Sequence, residues 1–245
     1  MAHTPRSVEG SPRLRSRLLT ALLAVSLPVT LCVSTSSASA EPATVPAATL
    51  ALVEVPGTSP MIASAVPLTE FGYTEREFFA SGEAARYRLG ADPLATAQVI
   101  DAGWDYKTRV LVRAPRPAHF NGTLVIEWAN VTVGQDMDFA WAESHEYLLR
   151  EGYAFATVSA QQVGVERLKT WSPARYGSLS VAASNTVPVT GGVDEVVDSR
   201  NDPLSFDVFS QVSQALQQNA GDVEPLPGLE VRRMIALGAS GPPGS

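Results

Sequence analysis

The sequence predicts an α/β fold: a mostly parallel sheet with an antiparallel N-terminal edge and helices on both faces. Three observations predict it. Short runs of strand character recur at Glu77–Ala80, Thr108–Arg113, Thr123–Trp128, Tyr153–Ser159 and Val231–Leu237, and the later ones are almost wholly apolar, as strands covered on both faces are. Two segments of helical periodicity, one after Trp128 and one from about Pro203 to Gln218, separate the last three runs. The order strand, helix, strand, helix, strand then builds a parallel sheet through right-handed crossovers.

The chain opens with Arg6, Arg13, Arg15 and Arg17, an apolar stretch from Leu18 to Val33 interrupted by Pro28, and Ala38-Ser39-Ala40 before Glu41. That is the pattern of a secretory signal peptide over residues 1–40, and the run is shorter than the roughly 20 apolar residues a membrane helix requires. Cys32, the one cysteine, lies inside it, and the bulky Leu31 before it argues against lipid attachment. A mature chain without cysteine has no disulfide, thiolate metal site or Cys nucleophile. Removal of residues 1–40 takes away four Arg and one Glu, leaving 14 basic against 24 acidic side chains and a net charge of −10. Nucleic acid and anionic membrane surfaces are excluded as expected partners, since both call for a basic patch.

Residues 41–62 are rich in Ala, Pro, Thr and Ser and read as a flexible tail, leaving 63–245 as one domain. The strands at Thr108–Arg113 and Thr123–Trp128 flank a Pro- and Gly-bearing turn. In the first helix, Asp136 or Asp138 is the expected cap, Trp141, His145, Leu148 and Leu149 share one face, and Gly152 closes the element. The second helix is expected to begin at Asp202-Pro203, to bury Val208, Phe209, Val212, Ala215 and Leu216, and to stop at Gly221. The connection from Gly164 to Asp202 is long for an α/β unit, so it reads either as part of the wall over a pocket or as a disordered insertion. Its carboxylates Asp194, Glu195, Asp198 and Asp202 lack EF-hand spacing and are expected on a solvated face rather than around Ca²⁺.

Chemistry concentrates at Ser240. It follows the run Met234–Leu237 through Gly238-Ala239, and a Ser on a tight turn after a buried strand is where a hydroxyl becomes an exposed, activated nucleophile. Pro242 stands where the pattern G-x-S-x-G has its second Gly, so the alternative is a frayed Gly/Pro/Ser tail. The loop Ala129-Asn130-Val131-Thr132 also follows a strand. Asn130 there either contributes a backbone donor or caps the turn into the next helix. His119 and His145 both precede Ser240, one in a Pro-rich turn and the other on an apolar helical stripe, and neither is well placed as its base.

Four segments carry a resemblance over most of the chain. They are Phe71-Gly72-Tyr73 with Glu77-Phe78-Phe79 and Ser81-Gly82; Tyr106–Arg109 running to Phe120–Thr123; Glu127-Trp128-Ala129-Asn130-Val131; and Val158–Glu166. Leu168–Leu179 and Ser205–Gln211 look like two further blocks. The sequence resembles the bacterial alpha/beta hydrolase domain family of mostly secreted proteins. The resemblance implies the N-terminal part of an alpha/beta-hydrolase sheet, with Ser240 as catalytic nucleophile, backbone N–H groups of Asn130, Val131 and Gly241 as the oxyanion hole, a small-molecule acyl substrate, and no cofactor or metal. In that family Gln-Ser follows the nucleophile, whereas Gly241 and Pro242 follow here. The expectation is a chain truncated or frame-shifted just after the nucleophile turn, lacking the C-terminal half with its acid and His. Two functions stay open: a secreted serine hydrolase, inactive in this form, or a non-catalytic binding module or unstable remnant whose last strand invites association.

Overall fold

The computed structural model describes residues 45–88, 97–183, 202–219 and 222–239; the expected signal segment, Ser240, Gly241, Gly221 and the carboxylates Asp194, Glu195 and Asp198 lie outside them. The strands are β1 (Thr49–Leu52), β2 (Tyr73–Arg88), β3 (Gln98–Pro115), β4 (Thr123–Trp128), β5 (Ala154–Val158) and β6 (Arg233–Gly238). The helices are α1 (Phe139–Arg150), α2 (Gln162–Trp171), α3 (Pro173–Tyr176) and α4 (Ser205–Gln218), with 3-10 turns at Leu68–Phe71 and Pro117–His119.

The strands form one sheet in the order β1-β2-β3-β5-β4-β6. β4 is parallel to β5 and to β6, with α1 crossing between β4 and β5; the pairings β1 with β2, β2 with β3 and β3 with β5 are antiparallel. The sheet is therefore mixed, and the expectation of a mostly parallel one is corrected. The reason lies in the β2–β3 hairpin. Its strands run 16 and 18 residues, far beyond the apolar runs visible in sequence, because the first half of β3 is largely exposed and needs no hydrophobic pattern to pair.

The stretch 41–62 is not tail throughout. Thr49–Leu52 pairs with Leu52 against Phe78 and Thr49 against Ser81, and Ala48 and Met61 are buried. An edge strand is held by backbone hydrogen bonds, which leave no periodic signature when its side chains are solvated.

Alternation along the strands gives the two faces different cores. Phe78, Ala80, Val110, Val112, Leu124, Ile126, Ala154, Ala156 and Val158 pack against Leu204, Val208, Val212 and Leu216 of the α4 region. On the opposite face Val125 and Phe155 meet Trp141, Leu148 and Leu149 of α1. Farther along that face Met61, Val165, Leu168, Tyr176 and Leu179 cluster with Phe79. The connection after Gly164 is thus, through Ala183, part of the core rather than a lid or an insertion: it begins inside α2, and Ser180 bridges to Lys107 of β3.

Helix boundaries follow tertiary partners more than local caps. Gly152, at φ +74°, ends α1 as expected, and any side chain there would collide with the His119 carbonyl. α4 starts at Ser205, and its stop is Asn219 in the left-handed conformation, whose amide bonds Leu226 and Leu229 carbonyls. Asp202 is neither a cap for α4 nor on a solvated face. It is buried and accepts the Gln162 N–H at 2.5 Å, capping α2 from another part of the chain.

Candidate active site

The parallel register of β4 and β6, Thr123 beside Arg233 and Trp128 beside Gly238, brings the carboxyl ends of both strands to one edge of the sheet. Ala239, the residue before Ser240, emerges there. The β4–α1 loop, Ala129–Asp138, folds over the same edge. It is pinched shut by reciprocal backbone bonds, Asn130 N–H to Met137 O at 3.0 Å and Met137 N–H to Asn130 O at 2.8 Å. The Asn130 amide spans the site: Oδ1 accepts the Thr132 N–H and Nδ2 donates to the Ala239 carbonyl at 2.7 Å. Asn130 therefore both caps its turn and ties the loop to Ala239, the residue after β6. Its own N–H is engaged with Met137, so of the two loop donors expected from sequence, Val131 is the one not occupied by that pinch. Ser240 and Gly241 follow directly on Ala239 but lie outside the described residues.

A cavity of about 420 Å³ opens beside this junction, lined by Glu127, Asn130, Phe139, Ala140, Glu143, Leu237, Gly238 and Ala239. Glu127 is the residue sequence reasoning missed. It interrupts the otherwise apolar β4, is fully buried, and its Oε1 accepts the Ala140 N–H at 2.9 Å in the first turn of α1. Oε2 has no hydrogen-bond partner, and neither does Oγ1 of Thr157, its register neighbour on β5. Burial pushes the Glu127 carboxyl up to about 7, with nearby Asp138 adding to the rise and the α1 N–H groups and Arg113 opposing it.

The acidic residues expected to cap α1 serve a different purpose. Asp136 is buried with both guanidinium and hydroxyl partners, Arg109 at 2.9 Å and Ser159 at 2.5 Å, and burial nevertheless pushes its carboxyl up. Gly164 of α2 packs so close to this carboxylate that a side chain would overlap it. Asp138 occupies the cap position but makes no cap bond; it pairs with Arg113 at 2.6 Å, whose other partner is Glu75 at 2.8 Å. Two buried arginines of β3 thus anchor the far end of the loop. Their sequence signature is a pair of charges four positions apart, on one face of a strand, flanking the apolar Val110-Leu111-Val112.

Neither described histidine reaches this edge. His119 sits before β4, at the amino end of the parallel strands, with Nε2 3.3 Å from the Arg150 carbonyl. His145 lies within α1, half-buried, with Nδ1 3.2 Å from the Trp141 carbonyl. Both line a larger cleft of about 860 Å³ with Glu70, Arg116 and Arg150. That cleft is at the opposite end of β4 from Ala239, so its size does not make it the catalytic one.

A family model described as an alpha/beta hydrolase domain matches residues 40–241. The chain belongs to that family. No curated protein matches this hydrolase domain. In folds of this kind a strand end carries the nucleophile and a neighbouring strand–helix loop supplies one oxyanion donor. The described sheet sets the end of β6 beside the β4–α1 loop.

Proposed function

We propose that the protein is an exported serine hydrolase acting on a carboxylic ester or related acyl bond, with Ser240 as nucleophile and a backbone N–H of the β4–α1 loop, Val131, working with that of Gly241 to hold the oxyanion. The observation that carries the reading is the 2.7 Å bond from Asn130 Nδ2 to Ala239 O, which fixes the donor loop against the residue preceding Ser240. The cavity beside it, with Phe139, Ala140 and Leu237 among its walls, is of a size to take a small acyl group. Residues 1–40 are its export signal, so the exported form begins at Glu41.

A serine hydroxyl needs a base within hydrogen-bond reach. His119 and His145 are held at other edges of the domain, and losing triad members costs about 10⁴- to 10⁶-fold in rate. The 245-residue polypeptide on its own is therefore expected to turn over p-nitrophenyl esters negligibly, while a fluorophosphonate marks Ser240 slowly and selectively, as read by peptide mass spectrometry. Label spread over many serines, or unchanged labelling in Ser240→Ala, overturns the nucleophile assignment. Rapid ester turnover that survives Ser240→Ala does so as well.

A further inference from the structure

The loop that would supply the oxyanion donor is bonded to Ala239, the residue before Ser240, at one end and clamped by Arg109 and Arg113 at the other. Between these ends the buried Glu127, at the wall of the cavity, is bonded to the first turn of α1. We propose that Glu127 is a positioning residue for the chemistry proposed above: through Ala140 N–H it sets the first turn of α1, and with it the Ala129–Asp138 loop and the Val131 donor.

Three observations support this. Glu127 replaces the missing cap of α1, since Asp138 makes no cap bond and Glu127 Oε1 takes the Ala140 N–H at 2.9 Å. The residue is wholly buried yet belongs to the cavity that Asn130 and Ala239 line. Its second oxygen has no hydrogen-bond partner, which a carboxyl kept only for capping has no need to bring into a core. Buried glutamine or threonine in its place would satisfy the helix end without the liability of a charge.

The consequence is a dependence on protonation. The charged groups facing Glu127 are Arg113 from β3, Asp138 from the loop and Glu143 from α1 at the cavity wall; Arg113 is already shared between Asp138 and Glu75. Among the described residues Glu127 has no ion pair of its own. Its neutral form therefore fits the closed loop, and ionisation favours any opening that lets water reach the carboxylate. A neutral carboxyl also spares a developing oxyanion the repulsion of a buried negative charge.

The test is amide hydrogen exchange of the full 245-residue chain, corrected for intrinsic rates, at Met137, Ala140 and Trp141 between pH 5.5 and 8, in wild type and Glu127→Gln. Protection at these sites should fall roughly ten-fold or more in wild type as pH rises through about 7 and stay flat in Glu127→Gln. Leu216 of α4 serves as the internal control and should not follow. Protection independent of pH in wild type, or an equal fall in the variant, overturns the positioning role. Phenylboronic acid, a tetrahedral oxyanion mimic, is then added. A shift of the Val131 amide signal, larger at pH 6 than at pH 8 in wild type and equal at both in Glu127→Gln, ties the positioning to the site. If Val131 ignores the boronic acid in both proteins while the pH coupling persists, the oxyanion reading of the loop fails and the catalytic meaning of Glu127 fails with it, whereas the structural coupling is read separately.

Discussion

The two faces of the sheet are built from different materials. Under α4 the strands present Phe78, Val110, Val112, Leu124, Ile126 and Val158, a continuous aliphatic and aromatic surface. Under α1, α2 and α3 the same strands, one residue out of step, present Glu77, Arg109, Arg113, Glu127 and Thr157, all buried. Among the described residues, the three buried arginines on this side each have a carboxylate partner: Arg109 with Asp136, Arg113 with Glu75 and Asp138, and Arg175 with Glu77 at 2.6 Å. Apolar burial is non-directional and tolerates shifts in packing, whereas paired charges demand one geometry. The polar face is also the one that holds the β4–α1 loop. One face packs apolar side chains under α4, and the other adds paired charges to its own apolar clusters.

The largest break in this comparison comes from the charged side. Arg109→Ala strands the buried Asp136 carboxylate and should cost about 3–5 kcal/mol in urea denaturation, while the double change Arg109→Leu with Asp136→Leu should recover most of the loss. A single-variant cost under about 1 kcal/mol would put this fully buried pair in the class of surface ion pairs and end the contrast. On the other face, Leu216→Ala should cost about 3 kcal/mol through the cavity it leaves, with the amide signals of residues 129–138 unmoved. Movement there would mean the faces are mechanically one.

Glu127 sharpens the comparison through pH. Its folded-state value near 7 stands above the ordinary 4.5, so the folded protein holds the proton more tightly than the unfolded chain. The penalty is absent below about 4.5, grows as pH rises, and is complete above about 7. Glu127→Gln should thus gain roughly 3 kcal/mol on wild type between pH 4.5 and 8, seen as diverging urea midpoints. Parallel stability curves would show that the carboxyl is ionised at no cost. The smallest effect is expected from Asn130→Ala. Loss of the bond to Ala239 O should cost about 1 kcal/mol while loosening the loop enough to raise exchange at Met137, whose N–H bonds Asn130 O.

Much of this architecture is written locally. The apolar runs of β4 and β5 and the stripe Trp141, Leu148, Leu149 with Gly152 behind it fix two parallel strands and the helix between them, because period and turn chemistry act over a few residues. Val208, Val212, Ala215 and Leu216 do the same for α4. The family was legible as well, through blocks such as Glu127–Val131. Charge pairing was not legible: Arg175 finds Glu77 from 98 positions away, and Arg109 finds Asp136 across 27. Asp202 caps a helix 40 residues earlier, a role that no local pattern announces.

The sequence by itself determined the parallel trio with its crossovers and the hydrolase family, since each depends on residues close together in the chain. Only the tertiary structure decided that the sheet is mixed, that residues 49–52 belong to it, that Asn130 clamps Ala239, and that Glu127 lies buried beside the cavity. Those outcomes rest on which distant groups share a buried space. Desolvation makes the choice of partner strict there, and nothing in the local order of residues encodes it.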